Sequence, residues 1–193
     1  MRRICVFAGS SPGGRPGYRT VAEALGRTLA ARGVGLVYGG ARVGLMGTLA
    51  DAVLAAGGQV IGVIPEALVA KEVAHNGLTE LRVVFSMHER KAAMADLSDG
   101  FIAIPGGWGT LEEFFEILTW GQLGLHQKPC GLLNVEDYFG GLLSFADHMV
   151  NEGFVLRENS AMISVSSDPA TLIDMLAAYT PPAVPQWIDR AET

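Results

Sequence analysis

Short apolar runs alternate with amphipathic stretches along almost the entire chain. The apolar runs have the length and continuity of buried strands, and they cover residues 4–8, 34–38, 59–64, 81–85, 101–104, 130–134 and 162–165. Helical periodicity follows over residues 18–32, 45–56, 87–97, 110–123, 138–152 and 169–178. Continuous apolar strands separated by helices are typical of a parallel sheet covered on both faces. The pattern therefore predicts an α/β fold, a Rossmann-like doubly wound parallel sheet in a single domain.

The predicted domain spans residues 1–180, because no linker or internal repeat interrupts the pattern before that point. Beyond it, Pro181, Pro182 and Pro185 stand close together. Closely spaced prolines favour an extended backbone that cannot continue a helix. We therefore expect residues 181–193 to form an extended C-terminal tail.

Polar or glycine-rich turns follow four of the predicted strands. They are Gly9-Ser10-Ser11, Gly39-Gly40, Pro65-Glu66 and Pro105-Gly106-Gly107. The carboxyl ends of parallel strands share one edge of the sheet, and ligands of such sheets bind outside that edge. The sequence thus predicts a binding site that includes Gly9, Ser10, Gly39 and Gly40, with the serine turn suited to a phosphate or a ribose.

The most informative turn runs over residues 105–113 and reads Pro-Gly-Gly-Trp-Gly-Thr-Leu-Glu-Glu. It joins a predicted strand end to a predicted helix start, where backbone N–H groups and the positive end of the helix dipole favour a phosphate. Glu112 and Glu113 stand in the same turn. A site for an anion beside carboxylates predicts chemistry on a phosphorylated substrate. For Trp108 two interpretations stay open, a lid or base-stacking surface and a hydrophobic plug.

A second cluster, Met87-His88-Glu89-Arg90-Lys91, begins a predicted helix. Two adjacent cations near a helix start oppose the helix dipole, so a solvated basic face is one interpretation, above all for Lys91. If Arg90 instead points to the strand-end edge, its guanidinium can hold a phosphate through two hydrogen bonds.

Composition narrows the function classes. Apolar residues make up 49% of the chain, charged residues 18%, and the net charge is −6. The negative charge argues against a nucleic-acid partner, and no apolar run has membrane-spanning length. Cys5 and Cys130 are isolated in predicted buried strands, which favours a reducing compartment. We expect a cytoplasmic protein with no nucleic-acid or membrane partner.

Several known motifs are absent or out of context. Neither G-x-G-x-x-G nor the phosphate loop G-x-x-x-x-G-K-[ST] fits the glycine-rich turns. Residues 9–13 match the nucleophile-elbow pattern G-x-S-x-G around Ser11, but Pro12 and the glycines after it delay the helix that an elbow requires. The four histidines have no metal-ligand spacing, so we expect no metal.

Taken together, these segments resemble the LONELY GUY family. Residues 105–113 match its P-G-G-x-G-T-x-x-E motif, and residues 87–91 match its M-H-x-R-K segment. Residues 5–11, 38–47 and 119–124 are similar to further segments of that family, in the same order. The resemblance covers roughly residues 2 to 180 and several motifs carry it.

The resemblance implies an enzyme that cleaves the N-glycosidic bond of cytokinin riboside 5′-monophosphates, and of AMP as well, to give the free base and ribose 5-phosphate. It implies no cofactor and a homodimer. Arg90 and Glu113 would be the catalytic pair. The implied substrate-binding residues are Glu72, Arg90, Lys91, Gly106, Gly107, Trp108, Gly109, Thr110, Leu111, Glu112 and Thr119.

A carboxylate can stabilise positive charge on the ribose or orient the attacking water. We expect Glu113 in the first helical turn, where the dipole keeps it ionised. Glu112 diverges from it by about 100° and is assigned to ribose hydroxyls. Glu116 is either a supporting residue of the site or a surface carboxylate, and the second interpretation is preferred.

Two other functions are weighed against this one. Pyridoxal-dependent decarboxylation needs a Schiff-base lysine, and none of the three lysines, Lys71, Lys91 and Lys128, has a recognisable context for it. A non-catalytic carrier of a nucleotide or of molybdenum cofactor would keep the glycine turn, but it would not need Glu113 and Arg90 together.

The predicted helix over residues 110–123 has apolar side chains on several sides, including Phe114, Phe115 and Trp120. This is more apolar surface than one core-facing stripe requires. We expect part of it in a two-fold dimer interface, and the alternative is a wholly intramolecular core.

Overall fold

The structure, a computed structural model, describes residues 1–69 and 74–182. Within them seven strands form one parallel sheet in the order β4-β3-β2-β1-β5-β6-β7. The strands are β1 Arg3–Phe7, β2 Gly35–Tyr38, β3 Val60–Pro65, β4 Glu80–Val84, β5 Gly100–Ala103, β6 Cys130–Leu133 and β7 Ile163–Ser166. In the centre of the sheet, Cys5 pairs with Val37 on one side and with Phe101 on the other. The predicted α/β class and the doubly wound parallel sheet are confirmed.

Helices cover both faces of this sheet. They are α1 Pro16–Ala31, α2 Gly44–Ala55, α3 Glu66–Val69, α4 Met87–Leu97, α5 Trp108–Gln122, α6 Gly140–Asn151, α7 Arg157–Ser160 and α8 Pro169–Ala177. Ile4 and Val6 of β1 pack in one core with α1, α2 and α8, whereas Cys5 and Phe7 pack in a second core with α4 and α5. The alternation along β1 assigns the two cores to opposite faces.

Differences from the predicted elements are small and local. Each predicted strand and helix is present with its ends moved by a residue or two. The short helices α3 and α7 and a 3-10 turn, Val135–Asp137, are additional. They were missed because one helical turn is too short to show a periodicity. Of the predicted tail 181–193, residues 183–193 lie outside the described residues.

The strand order reverses beside β1, since the chain moves from β1 toward β4 and then returns to the other side with β5. Such a reversal leaves a crevice at the carboxyl ends of the two central strands. The crevice is narrow at its base, because the Gly9 N–H donates to the Pro105 carbonyl at 3.1 Å. In the described part of the chain, no helix is long and apolar enough to cross a membrane.

Candidate active site

The turn between β5 and α5 lies directly against the end of β1. A Cβ atom at Gly106 would lie 2.8 Å from the Gly9 nitrogen and would collide with the Thr110 side chain. The position of a Cβ at Gly107 has no neighbour within 4 Å. Gly106 thus permits the close approach of the two strand ends, and Gly107 leaves the start of α5 open to a ligand. This is the strand-to-helix arrangement that favours an anion.

A cleft of about 300 Å³ opens on one side of this turn. We call it the switch-point cleft. It is lined by Gly9, Ser10, Ser11, Tyr18, Gly106 and Tyr138, among others. Helix α1 begins only at Pro16, so Ser11 does not lead into a helix and the nucleophile-elbow interpretation is not supported.

Arg90 and Glu113 form an ion pair at the carboxyl edge of the sheet. Arg90 Nη2 lies 3.4 Å from Glu113 Oε1, and the two side chains are only 11% and 12% exposed. Gly39, at the end of β2, passes so close to the guanidinium that a Cβ there would collide with it. Arg90 Nε is buried without a protein acceptor among the described residues. A buried donor of this kind is suited to a ligand or a water.

The start of α4 sets the position of Arg90. The Ser86 hydroxyl accepts a hydrogen bond from the Glu89 N–H at 3.1 Å, and the Glu89 carboxylate accepts one from the Phe85 N–H at 2.7 Å. These reciprocal bonds fix the first turn of the helix. Arg90 lies one residue beyond Glu89 and is directed inward, with its Nη1 donating to Met87 Sδ at 3.7 Å.

The expectation that Glu113 lies in the first helical turn is wrong. Helix α5 begins at Trp108, so Glu113 lies beyond the first turn. Burial raises the pKa of Glu113, and the opposing effect of the Arg90 charge does not cancel it. The site therefore holds a carboxyl group whose proton is retained to higher pH than that of an ordinary glutamate. Groups of this kind cluster at catalytic sites.

Lys91 is not part of a solvated basic face, and Glu116 is not a free surface carboxylate. Lys91 Nζ lies 2.6 Å from Glu112 Oε1 and 2.9 Å from Glu116 Oε1, with its side chain 9% exposed. Burial alone would lower the pKa of Lys91, but the hydrogen bonds to Glu112 and Glu116 outweigh it and raise the pKa. The cations of α4 are thus paired with the carboxylates of α5, three negative charges against two positive ones.

Three further predicted residues are not part of the glycine turn in the described structure. Gly40 has a positive φ of 76°, and its carbonyl accepts the His75 N–H at 3.0 Å, so it anchors the chain after β2 rather than facing the cleft. Thr119 is nine residues beyond Thr110, or about 13 Å along the helix axis, and is remote from the glycine turn. Glu72 lies outside the described residues.

Trp108 is not a hydrophobic plug within its own chain, because it is 89% exposed. It stands at one end of a groove of about 500 Å³ between α5 and α6, which we call the apolar groove. Leu111, Phe115, Leu118, Thr119, Phe145 and Met149 line it with further side chains. The buried face of α5 consists of Thr110, Phe114, Ile117 and Gly121. Part of the apolar surface of α5 is therefore left open within its own chain.

Cys5 lies in the core beneath the ion pair. Its thiol is free and fully buried. Burial raises the pKa of Cys5 well above the ordinary value, and the negative charge of Glu113 raises it further. Cys130 of β6 is free as well, and burial raises its pKa to about 12. Both thiols are therefore unreactive in the folded chain.

Tyr138 is the residue of this region that sequence reasoning missed. Its hydroxyl donates a hydrogen bond to the Gly106 carbonyl, and its ring lines the switch-point cleft. A signal for it exists in the sequence, because Tyr138 follows the end of β6, which neighbours β5, and thus belongs to the same edge of the sheet.

Comparisons with known proteins show which family this chain resembles. A family model described as "possible lysine decarboxylase" matches residues 46–176. A cytokinin riboside 5′-monophosphate phosphoribohydrolase of Rhodococcoides fascians is 55% identical over 168 residues, which are 86% of this chain and 85% of that protein. One of Arabidopsis thaliana is 48% identical over 181 residues, which are 94% of this chain and 85% of that protein.

Among solved structures, the molybdenum cofactor carrier protein of Chlamydomonas reinhardtii has the same fold, with a TM-score of 0.68 and 21% identity over 92% of this chain and 99% of its own. The two close sequence relatives determine the family. The chain belongs to the LONELY GUY family of cytokinin riboside 5′-monophosphate phosphoribohydrolases.

Proposed function

We propose that this protein hydrolyses the N-glycosidic bond of cytokinin riboside 5′-monophosphates and releases the free base and ribose 5-phosphate. The observation that carries the proposal is the buried Arg90–Glu113 pair beside the glycine turn. Family membership supports the same reaction. A pyridoxal-dependent decarboxylase is disfavoured, because Lys91 is held by two carboxylates and Lys128 Nζ donates to the Ala95 carbonyl at 2.7 Å.

The 5′-phosphate binds at the glycine turn in this proposal. Helix α5 begins at Trp108, so its first amides lie at the open end of the helix, except that the Leu111 N–H donates to the Gly107 carbonyl at 3.2 Å; Ser10 and Gly107 line the switch-point cleft. Backbone N–H groups and the helix dipole stabilise a phosphate there without a basic side chain. Gly9, Gly39, Gly106, Gly107, Gly109 and Thr110 shape the backbone around it.

Glu113 acts on the ribose. Cleavage of the bond to the base develops positive charge on the sugar ring, and an ionised carboxylate stabilises that charge or orients the attacking water. Solvent screens the charge of Glu113 only weakly, because Glu113 and Arg90 are almost fully buried. Arg90 holds Glu113 and offers its buried Nε–H to the substrate. Glu112 is 55% exposed, and it binds ribose hydroxyls while Lys91 fixes its position.

The proposal is tested by incubating the protein with isopentenyladenosine 5′-monophosphate and with AMP, and by chromatography of the released base. We propose AMP as a second substrate, since the residues assigned above contact the phosphate and the ribose, which both nucleotides share. The nucleosides without phosphate should react far more slowly, because phosphate binding contributes energy to the transition state. Equal rates on nucleoside and monophosphate, or release of carbon dioxide from lysine, would overturn the proposal.

We further propose that the protein is a homodimer, with a second copy of the chain covering the apolar groove. Trp108 and Phe145 line this groove and are 89% and 56% exposed, and a monomer rarely leaves large apolar side chains together in water. A two-fold contact brings the same surface of each copy together, so protruding aromatic rings can enter the groove of the partner. Thr119 lies in this groove, so the proposed dimer covers it.

Light scattering at micromolar concentration tests the assembly, and a monomer would refute it. We also propose a cytoplasmic location, which the two free thiols, Cys5 and Cys130, support. Cell fractionation checks that location. A non-catalytic carrier of the same fold is the alternative function, and it gives no reason for a buried pair of Arg90 and Glu113.

A further inference from the structure

The peptide unit between Gly106 and Gly107 is held from one side by a tyrosine. The Tyr138 hydroxyl donates to the Gly106 carbonyl. In a trans peptide the carbonyl and the following N–H point in opposite directions. The bond from Tyr138 therefore turns the Gly107 N–H away from Tyr138. Two consecutive glycines lack any side chain that would fix this rotation by themselves.

The turn that carries Tyr138 has an unusual backbone. Glu136 and Asp137 have φ values of 50° and 56°, and the positive φ residues elsewhere in the described chain are glycines. Two adjacent residues with side chains in this region are strained and persist only where the surroundings hold them. Such strain is concentrated at functional sites.

Several contacts hold this strained turn. Asn134 Oδ1 accepts the Phe139 N–H at 2.7 Å, and Asn134 Nδ2 donates to Asp137 Oδ1 at 3.1 Å. Glu136 pairs with Arg15, which precedes α1, at 3.3 Å. The turn is therefore tied both to the end of β6 and to the opposite wall of the switch-point cleft.

The ring of Tyr138 is packed independently of its hydroxyl. It makes edge contacts with the rings of Tyr18 at 5.5 Å and Phe139 at 4.9 Å between centroids. A phenylalanine at position 138 would keep these contacts and lose the bond to Gly106 alone. The two roles of the side chain can thus be separated.

We propose that Tyr138 is a positioning residue, which fixes the Gly106–Gly107 peptide so that the amides of the glycine turn are already oriented for the 5′-phosphate. This inference rests on the proposed function. The strained turn places the Tyr138 hydroxyl at the Gly106 carbonyl. Without that bond, the substrate must orient the peptide itself when it binds, and phosphate binding is weakened.

The test compares Tyr138→Phe with the wild type in calorimetric titrations with ribose 5-phosphate. The variant should bind about tenfold more weakly, the loss expected for one well-oriented hydrogen bond. In turnover assays the KM for the monophosphate should rise by a similar factor, with kcat within about twofold. The slow reaction of the nucleoside should not change, because it makes no use of the phosphate site. Tyr179→Phe, beyond the end of α8, is the matched control and should behave as the wild type.

A second variant tests the turn. Asn134→Ala removes the two side-chain bonds that hold it and should weaken ribose 5-phosphate binding in the same direction. Unchanged ribose 5-phosphate affinity in Tyr138→Phe would overturn the inference. So would equal losses on nucleoside and monophosphate, which indicate a merely structural role. A wild type that binds ribose 5-phosphate but hydrolyses no nucleotide would refute the proposed function alone, and a wild type that hydrolyses the monophosphate but does not bind ribose 5-phosphate would refute the inference alone.

Discussion

The two sides of helix α5 differ in where their partners lie. On one side Glu112, Glu113 and Glu116 are paired with Arg90 and Lys91 of α4 in the same chain. On the other side, apolar residues line an open groove, and Trp108 at its end is almost fully in water.

The two sides of α5 therefore leave different groups without a partner in the described part of the chain: buried polar atoms on one side and apolar side chains on the other. On the charged side each carboxylate has a cation, yet a buried donor of Arg90 and a buried oxygen of Glu116 lack a partner among the described residues. A substrate or a water can satisfy those atoms. The apolar side is an open groove, which a second copy of the chain covers in the proposed dimer. The proposed chemistry therefore belongs to the first side, and the proposed assembly to the second.

The largest expected effect is on the charged side. Glu113→Gln keeps the size of the side chain and removes its negative charge, so turnover should fall by on the order of a hundredfold or more. Nucleotide affinity should stay similar, since the phosphate site is not altered. Turnover assays with calorimetry of AMP binding measure both. The exposed Glu152→Gln is the control, and normal turnover in Glu113→Gln would remove Glu113 from the chemistry.

A charge on the apolar side should break the assembly. Phe145→Asp would bury an unpaired carboxylate in the proposed interface, and the dimer dissociation constant should rise by roughly thirtyfold or more. Sedimentation at several concentrations measures it. Met175→Asp, on the exposed side of α8, should leave the constant unchanged. If both variants stay dimeric, the interface lies elsewhere.

The pH dependence of stability and of kcat/KM tests the role of Glu113 on the charged side. Because burial raises the pKa of Glu113, the folded chain holds this proton more tightly than the unfolded chain. The stability that it contributes is full below the ordinary value of 4.5 and is lost as pH rises through the raised pKa. The active carboxylate forms over that same window, so the acidic limb of kcat/KM should lie above 4.5.

Removing the charge of Lys91 should shift the acidic limb of the kcat/KM profile. The charge of Lys91 lowers the pKa of Glu113, so Lys91→Met should shift the limb to higher pH. Lys128→Met, whose ammonium bonds to the end of α4, should not shift it. A limb that is the same in all three proteins would mean that another group controls the rate.

The smallest effect is expected at Trp108. In a Phe145→Asp monomer, Trp108→Ala should change the free energy of unfolding by no more than about 0.5 kcal/mol, because an exposed ring contributes little to the fold. Chemical denaturation measures this change. A loss of several kcal/mol would show that the ring is buried in the monomer and that the two sides of α5 are alike.

Much of this arrangement follows from local sequence. The continuous apolar runs predict the strands, and the glycine turn with Glu113 predicts the edge of the sheet where the site forms. The pairing of Lys91 with Glu116 does not follow, since it depends on the contact between α4 and α5, which no spacing within either helix reveals. The burial of Glu113 and the bond from Tyr138 to Gly106 were missed for the same reason: each is decided by another element that packs against the residue.

Chemical labelling of the buried Cys5 thiol can measure how often the structure around the active site opens. A reagent that modifies thiols can reach this cysteine only when the central strands separate from the helix layer above them, because the thiol is fully buried and remains protonated. The rate at which Cys5 is labelled under native conditions therefore measures how often the core beneath the Arg90–Glu113 pair opens. A nucleotide that binds at this pair should slow the labelling in proportion to its occupancy.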